Sequence, residues 1–281
     1  AMKATAGDMI RAYVVINGEA GILADLQGTS AAGFATKFAG VQTKIASQVA
    51  SYDAAANKET IMMTNDADVY SFRVLPGITE EAAKTGSVNN VQVKVERVVS
   101  RAFMTVTPQA TAGAGWPVNA IIVGNEAVQI AKVTDVKYAV GQSNKNFYLM
   151  KKSTYEVPSP VYTFVPTLTT WSTGNADFDY TGLADFTPIT QWTYSATGVD
   201  TQLGTEGTSK FVLPVNHVVT ETDLTVARDS YKKGNTTYFE IRATFVPLKV
   251  DGVDFEGTTA PNSLFWGEVD KAFYSTRAKA E

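Results

Sequence analysis

SKFVLPVNHVVTETDLTVARDSYKKGNTTYFEIRATFVP, residues 209–247, ends in the clearest strand of the chain. Phe239, Ile241, Ala243 and Phe245 alternate there with Glu240, Arg242 and Thr244. That period of two predicts one apolar face for a core and one face for water. Gly234-Asn235 supplies turn chemistry ahead of the strand, and Pro247 ends it by removing a backbone donor. Residues 211–219 predict an earlier strand, interrupted by Pro214.

Upstream of this stretch the same punctuation recurs. The segments 9–16 (MIRAYVVI), 59–64 (ETIMMT), 68–75 (DVYSFRVL) and 127–140 read as strands, and Asn17-Gly18 and 86–90 as turns; 147–150 closes the N-terminal half. In 127–140, Val128, Ile130, Val136, Tyr138 and Val140 share one phase. In 91–106, Val91, Val93 and Val95 lie in one phase, and Val98, Ala102, Met104 and Val106 in the other. A β-bulge at Glu96-Arg97 would keep both halves on the core. Residues 108–117 read as a loop. A single helix is expected over the segment holding Phe34, Phe38, Val41, Ile45, Val49 and Tyr52, whose spacings of three and four place them on one face. Thr29 or Ser30 would cap it. Downstream, 264–266 and 272–275 supply the last short strands.

Composition agrees with strands and turns. The chain has 281 residues, 44% hydrophobic and 19% charged, with 12 Tyr and 14 Phe, which is enough apolar volume for a large core. A net charge of −4 gives nucleic acid or an anionic membrane no long-range attraction. With no cysteine, disulfides and thiol chemistry are excluded. The uncharged runs 102–125 and 157–176 are too rich in Pro, Gly and Thr for membrane helices. Ala1-Met2 reads as a cloning remnant, and no signal peptide is visible. Composition shifts after Lys151-Lys152, where Pro158, Pro160 and Pro166 follow closely. That shift predicts two domains, 1–152 and 153–281.

Catalytic signatures are missing. His217 is the only histidine, and no nucleophile-elbow sequence accompanies it; it reads as an ordinary strand histidine. No phosphate-binding glycine loop stands between a strand and a helix. Asp177, Asp179 and Thr181-Gly182 imitate the start of a calcium loop, but Pro188 falls where a bidentate Glu is needed. Glu80-Glu81 reads as a solvated turn rather than a glycosidase pair. Trp171, Tyr180, Trp192 and Tyr194 could stack on sugars, though core packing is the commoner use of such aromatics. No catalytic, cofactor-binding or metal-ligating residue is assigned.

Several stretches carry a resemblance, in order along the chain: AYVVINGEAG (12–21), ETIMMT (59–64), VKVERVVSRA (93–102), FYLMKK (147–152), FDYTGL (178–183), SKFVLP (209–214), SYKKGNTTYFEIRATFVP (230–247) and LFWGEVDKAFYST (264–276). With these the chain resembles the fimbrillins of the Bacteroidales, the subunits of type V pili, and among them the shaft subunits of minor fimbria. The resemblance implies a mainly β protein of two transthyretin-like β-sandwich domains, with the helix packed on the N-terminal one, the start of the first domain trimmed and the end of the second trimmed. It implies export as a lipoprotein precursor and residence in a cell-surface fimbrium. It implies removal of an N-terminal segment by an arginine-specific protease, for which Arg11, in a predicted strand, is a poor candidate. It also implies assembly by strand donation, in which a neighbouring subunit's strand fills a groove. The residues lining that groove are not assigned.

The expected function is therefore that of a structural pilin serving adhesion, not an enzyme. Expected partners are other pilin subunits joined by β-strand addition, and surface receptors, with no nucleic acid, no cofactor and no membrane span. The alternative is a surface β-sandwich module that binds carbohydrate or protein through the aromatics of 171–194.

Overall fold

The computed structural model describes residues 4–53, 55–56, 58–85, 88–104, 115–121, 126–154, 156–158, 178–189, 209–215, 237–258, 260–261 and 263–281. His217, Asp177, Trp171, Trp192, Tyr194 and the turn Gly234-Asn235 lie outside them. The described residues are mainly β, in many small antiparallel sheets. The backbone divides into two units, each drawn from three segments. The first comprises Ala1–Ala102, Gln142–Tyr180 and Lys210–Thr237; the second Phe103–Gly141, Thr181–Ser209 and Tyr238–Glu281. Residue 152 lies inside the middle segment of the first.

In the first unit, segment 9–16 forms two strands rather than one. Met9–Ala12 pairs with Tyr70–Arg73, and Val15–Ile16 pairs with Met63–Asn65. The buried Asn65 amide explains the break: it accepts from the Val14 N–H at 2.7 Å and donates to the Ala12 carbonyl at 3.2 Å. A side chain thus satisfies the backbone groups that a continuous ladder would have paired. Asn17 then turns the chain with a positive φ of 52°, a conformation that asparagine tolerates well.

The predicted single helix is corrected. Helix Ala31–Phe38 stops, Val41–Thr43 runs as a strand against Asn146–Tyr148, a short helix Ala46–Val49 follows, and Ala50–Asp53 is a strand again. Gly40 and the β-branched Val41 and Thr43 favour leaving the helix. Strand Asn146–Tyr148 supplies the competing partner, with Leu149 N–H donating to the Gly40 carbonyl and Lys44 N–H to the Lys145 carbonyl. Phe38 and Val49 are buried as expected, but Val41 is exposed. An unforeseen helix, Ala20–Gln27, precedes them. The Glu19 carboxylate caps it by accepting from the Ile22 N–H at 2.9 Å. That bond and the Lys44 ammonium at 3.0 Å hold the Glu19 pKa below its usual value. Glu80-Glu81 likewise opens a short exposed helix, Glu80–Thr85, rather than a turn.

The core of the first unit gathers Ile22, Leu26, Phe38, Val49, Ile61, Met62, Val98, Val99, Phe147, Leu149 and Leu213 from seven separate stretches. Tyr13 tilts against Phe38 at 4.8 Å and Phe34 at 5.2 Å, fastening helix Ala31–Phe38 to this core. The phase reversal expected at Glu96-Arg97 is a change of partner, not a bulge within one ladder. Val95–Arg97 pairs with Met63–Asn65, whereas Ser100–Ala102 pairs with Lys210–Val212. Val98 and Val99 between them are both buried, which no strand of strict alternation allows.

The second unit is built on the strand Ala127–Gly141. Trp116–Ile121, Thr187–Pro188 and Tyr238–Pro247 all pair with it. The phase read for 127–140 is corrected at its N-terminal half. Asp135 has a positive φ of 49°, and the register against Tyr238–Pro247 shifts between Thr134 and Lys137. Beyond this irregularity Val136, Tyr138 and Val140 are buried, but before it Ala131 is buried and Val128 is exposed. An extra residue in one strand inverts which side chains face the core.

Candidate functional site: an open strand edge

Tyr238–Pro247 runs antiparallel to Ala127–Gly141. Residues 238–242 pair with 137–141 and 244–247 with 131–134. Its apolar row, read from sequence as a core face, is uncovered at one end: Phe239 is 41% and Ile241 55% exposed, Ala243 is exposed and Phe245 half-buried. On the same face Tyr138 is buried and meets Phe239 edge-on at 5.6 Å. The row is thus supported from the partner strand while its outer flank meets solvent.

Backbone polarity can be read from two hydrogen bonds. Leu248 N–H donates to Ile130 of the neighbouring strand, at 2.8 Å, so even-numbered residues point inward. The Phe245 carbonyl instead accepts from Ala260 N–H at 3.1 Å. Successive residues of a strand direct their backbone groups to opposite sides. Phe239, Ile241 and Ala243 therefore aim their N–H and C=O groups away from Ala127–Gly141. Among the described residues Tyr238–Pro247 pairs with no other strand. No proline or lysine interrupts 238–246; the charges on this strand, Glu240 and Arg242, both lie on the face opposite the apolar row.

On the opposite face Arg242 is already engaged. Its guanidinium lies 3.9 Å over the Phe186 ring and pairs with Glu240 at 2.9 Å. The edge accordingly offers backbone hydrogen bonds and apolar side chains rather than net charge. Such an arrangement can take up an extended chain; it holds no group for acid–base or nucleophilic chemistry.

The other sequence candidates are dispersed. Asp179 is buried in the strand Phe178–Asp179, paired with Ser143–Asn144 rather than set in a turn. Pro188 is in the strand Thr187–Pro188. Tyr180 donates to the Gln142 side-chain oxygen at 3.4 Å. Among the described residues no group of three His, Cys, Asp or Glu side chains could hold a metal ion, and no helix is long and apolar enough to cross a membrane. Sequence periodicity found the apolar row of 239–245, but nothing local signals that Phe239 and Ile241 are exposed.

No model of a known protein family matches the chain. The minor fimbrium subunit Mfa1 of Porphyromonas gingivalis is 31% identical over 232 residues, covering 80% of this chain and 42% of that relative. A second Mfa1 sequence from the same organism is 33% identical over 207 residues, covering 71% of this chain and 38% of the relative. The chain spans well under half the length of the curated relatives it matches. Identity of this order across most of its residues makes the chain a homologue of the minor fimbrium subunit, a Bacteroidales fimbrillin.

Proposed function

We propose that this chain is part of a structural fimbrial subunit that assembles by accepting an extended strand from a neighbouring subunit along the outer edge of 239–243. The observation that carries this reading is the edge itself. Phe239, Ile241 and Ala243 aim their backbone groups away from Ala127–Gly141, pair with no other strand among the described residues, and expose apolar side chains. Adding a strand there would satisfy the backbone groups and cover Phe239 and Ile241 in one step. The two units would then be transthyretin-like sandwich domains, the second completed by the incoming strand. Homology to a fimbrium subunit supports a structural, non-enzymatic role at the cell surface, with other pilin subunits as partners and adhesion as the outcome.

The test uses a synthetic peptide from the C-terminal segment of the Porphyromonas gingivalis relative, with a scrambled peptide as control. A ligand that binds only the folded state raises the melting temperature, by ~2.7 kcal/mol of stability at a hundredfold excess over Kd. The native peptide is expected to stabilise the chain and the scrambled one to leave it unchanged. Ile241→Lys should melt like the parent without peptide and show no stabilisation with it. Equal stabilisation by both peptides, or full stabilisation of Ile241→Lys, would overturn the reading.

A further inference from the structure

A second surface of the second unit has a different chemistry. A shallow cavity of about 560 Å³ is lined by Asn119, Ala120, Ile130, Phe245, Trp266 and Phe273, with Lys271 at its rim. Its aromatic floor is a ladder: Phe245 meets Phe273 edge-on at 5.4 Å, and Phe273 meets Trp266 at 5.1 Å. Phe273 and Trp266 are cross-strand partners in the hairpin of Phe265–Gly267 and Ala272–Tyr274. Trp266 is 37% exposed, yet its indole is not loose: Nε1 donates to a Glu268 carboxylate oxygen at 2.8 Å. The other Glu268 oxygen accepts from the Lys271 ammonium. One carboxylate thus fixes both the indole and the ammonium, so a ligand would not have to order them on binding.

The geometry points to this cavity as a binding subsite for a neutral sugar residue. The face of a pyranose ring that carries C–H groups packs on an aromatic surface, and its hydroxyls need donors and acceptors around the edge. Here the aromatic surface is Trp266 with Phe273, the lining adds the exposed Asn119 amide and Lys271, and Glu268 sits behind them, bonded to both Trp266 and Lys271. Glu268 and Lys271 compensate each other, so the rim carries no net charge to select a phosphate or a carboxylate. A purely apolar side chain would leave that polar rim unused. The subsite does not depend on the edge of 239–243 and stands or falls apart from strand addition.

The experiment titrates the 281-residue chain with methyl glycosides of mannose, galactose, fucose and N-acetylglucosamine, following the indole N–H resonance of Trp266 assigned by its loss in Trp266→Phe. At least one glycoside is expected to give a saturable shift with a Kd of roughly 1–10 mM. Trp266→Ala should abolish binding detected by saturation transfer to that glycoside, and Asn119→Ala should weaken it at least threefold, about 0.6 kcal/mol. Asn119 is exposed, so that variant reports on the subsite even if Trp266→Ala fails to fold. The absence of a saturable shift with all four glycosides at ~50 mM would overturn the proposal. So would binding that Asn119→Ala and Trp266→Ala leave unchanged.

Discussion

The Arg101 guanidinium donates to the Glu59 carboxylate at 2.8 Å, tying strand Ser100–Ala102 to strand Lys58–Ile61. The Arg101 side chain is only 8% exposed, and its cation lies 4.9 Å from the Tyr52 ring centre and 5.6 Å from that of Phe211. Removing the carboxylate would take a counter-charge away from a largely desolvated cation. Glu59→Ala should therefore cost ~2–3 kcal/mol, less than the ~3–5 kcal/mol of a fully buried broken pair because Glu59 is partly solvated. Arg101→Met should cost less, since methionine keeps apolar contact with both rings. Urea unfolding of the two variants checks the order. An Arg101→Met loss exceeding that of Glu59→Ala would mean that the charge pair contributes little.

Phe38 and Val41 would share a face of one continuous helix, and the observed break separates their fates. Phe38 is 1% exposed beneath Tyr13 and should cost ~3–5 kcal/mol when changed to Ala. Val41 begins an exposed strand, and Val41→Thr should stay within ~0.5 kcal/mol because threonine keeps the β-branched form. Thermal melts of both proteins distinguish the arrangements. A Val41→Thr penalty comparable to that of Phe38→Ala would restore the single helix.

Asp251 gives the chain a pH-dependent fastening. Its carboxylate accepts from Lys279 Nζ at 2.6 Å, from Ser275 Oγ at 2.6 Å and from Ser275 N–H at 3.0 Å. These groups, with the Lys279 bond first, hold its pKa down at about 2. The folded value lies below the ordinary value of 3.8, so the stabilisation is complete above that pH and is lost as pH falls towards 2. The melting-temperature gap between the parent and Asp251→Asn should be constant from roughly pH 5 to 8 and close between about pH 4 and 2. A gap that persists at pH 2 would show that the ionised carboxylate is not its source.

Val98 and Val99 form the corner at which one run of chain changes sheets. Deleting Val99 would turn the side chains of Ser100–Ala102 to the opposite face and lift Arg101 off Glu59. The deletion variant should lose its cooperative melt. Val98→Ala, which keeps the register, should melt cooperatively at a lower temperature. A soluble deletion variant with a sharp transition would place the register break elsewhere.

Legibility from sequence varied with the range of the forces involved. The strands Ala127–Gly141 and Tyr238–Pro247 and the hairpin of Phe265–Gly267 with Ala272–Tyr274 were visible as apolar runs with turn punctuation. The hairpin at Asp251-Gly252, with φ values of 55° and 77°, carried a recognisable turn dipeptide, but its strands are two residues long and show no period. Helix Ala20–Gln27 spans only two turns, with Ile22 and Leu26 as its buried pair, too short a run to stand out.

What the sequence by itself determined was the local chemistry: strand-forming runs, the turn at Asn17, an uncharged β-rich composition without thiols, and enough family-specific wording to mark a fimbrillin. Alternation is set by the backbone's own geometry, so it survives without knowledge of the partner. Only the tertiary structure decided what each face meets. Asn65 split one strand in two, Asn146–Tyr148 drew Val41–Thr43 out of a helix, and the shift near Asp135 moved the buried side from Ala131 to Val136. The same holds for the proposed site. Phe239 and Ile241 follow a core pattern, yet burial depends on which distant segment arrives to cover them, and both side chains stay exposed.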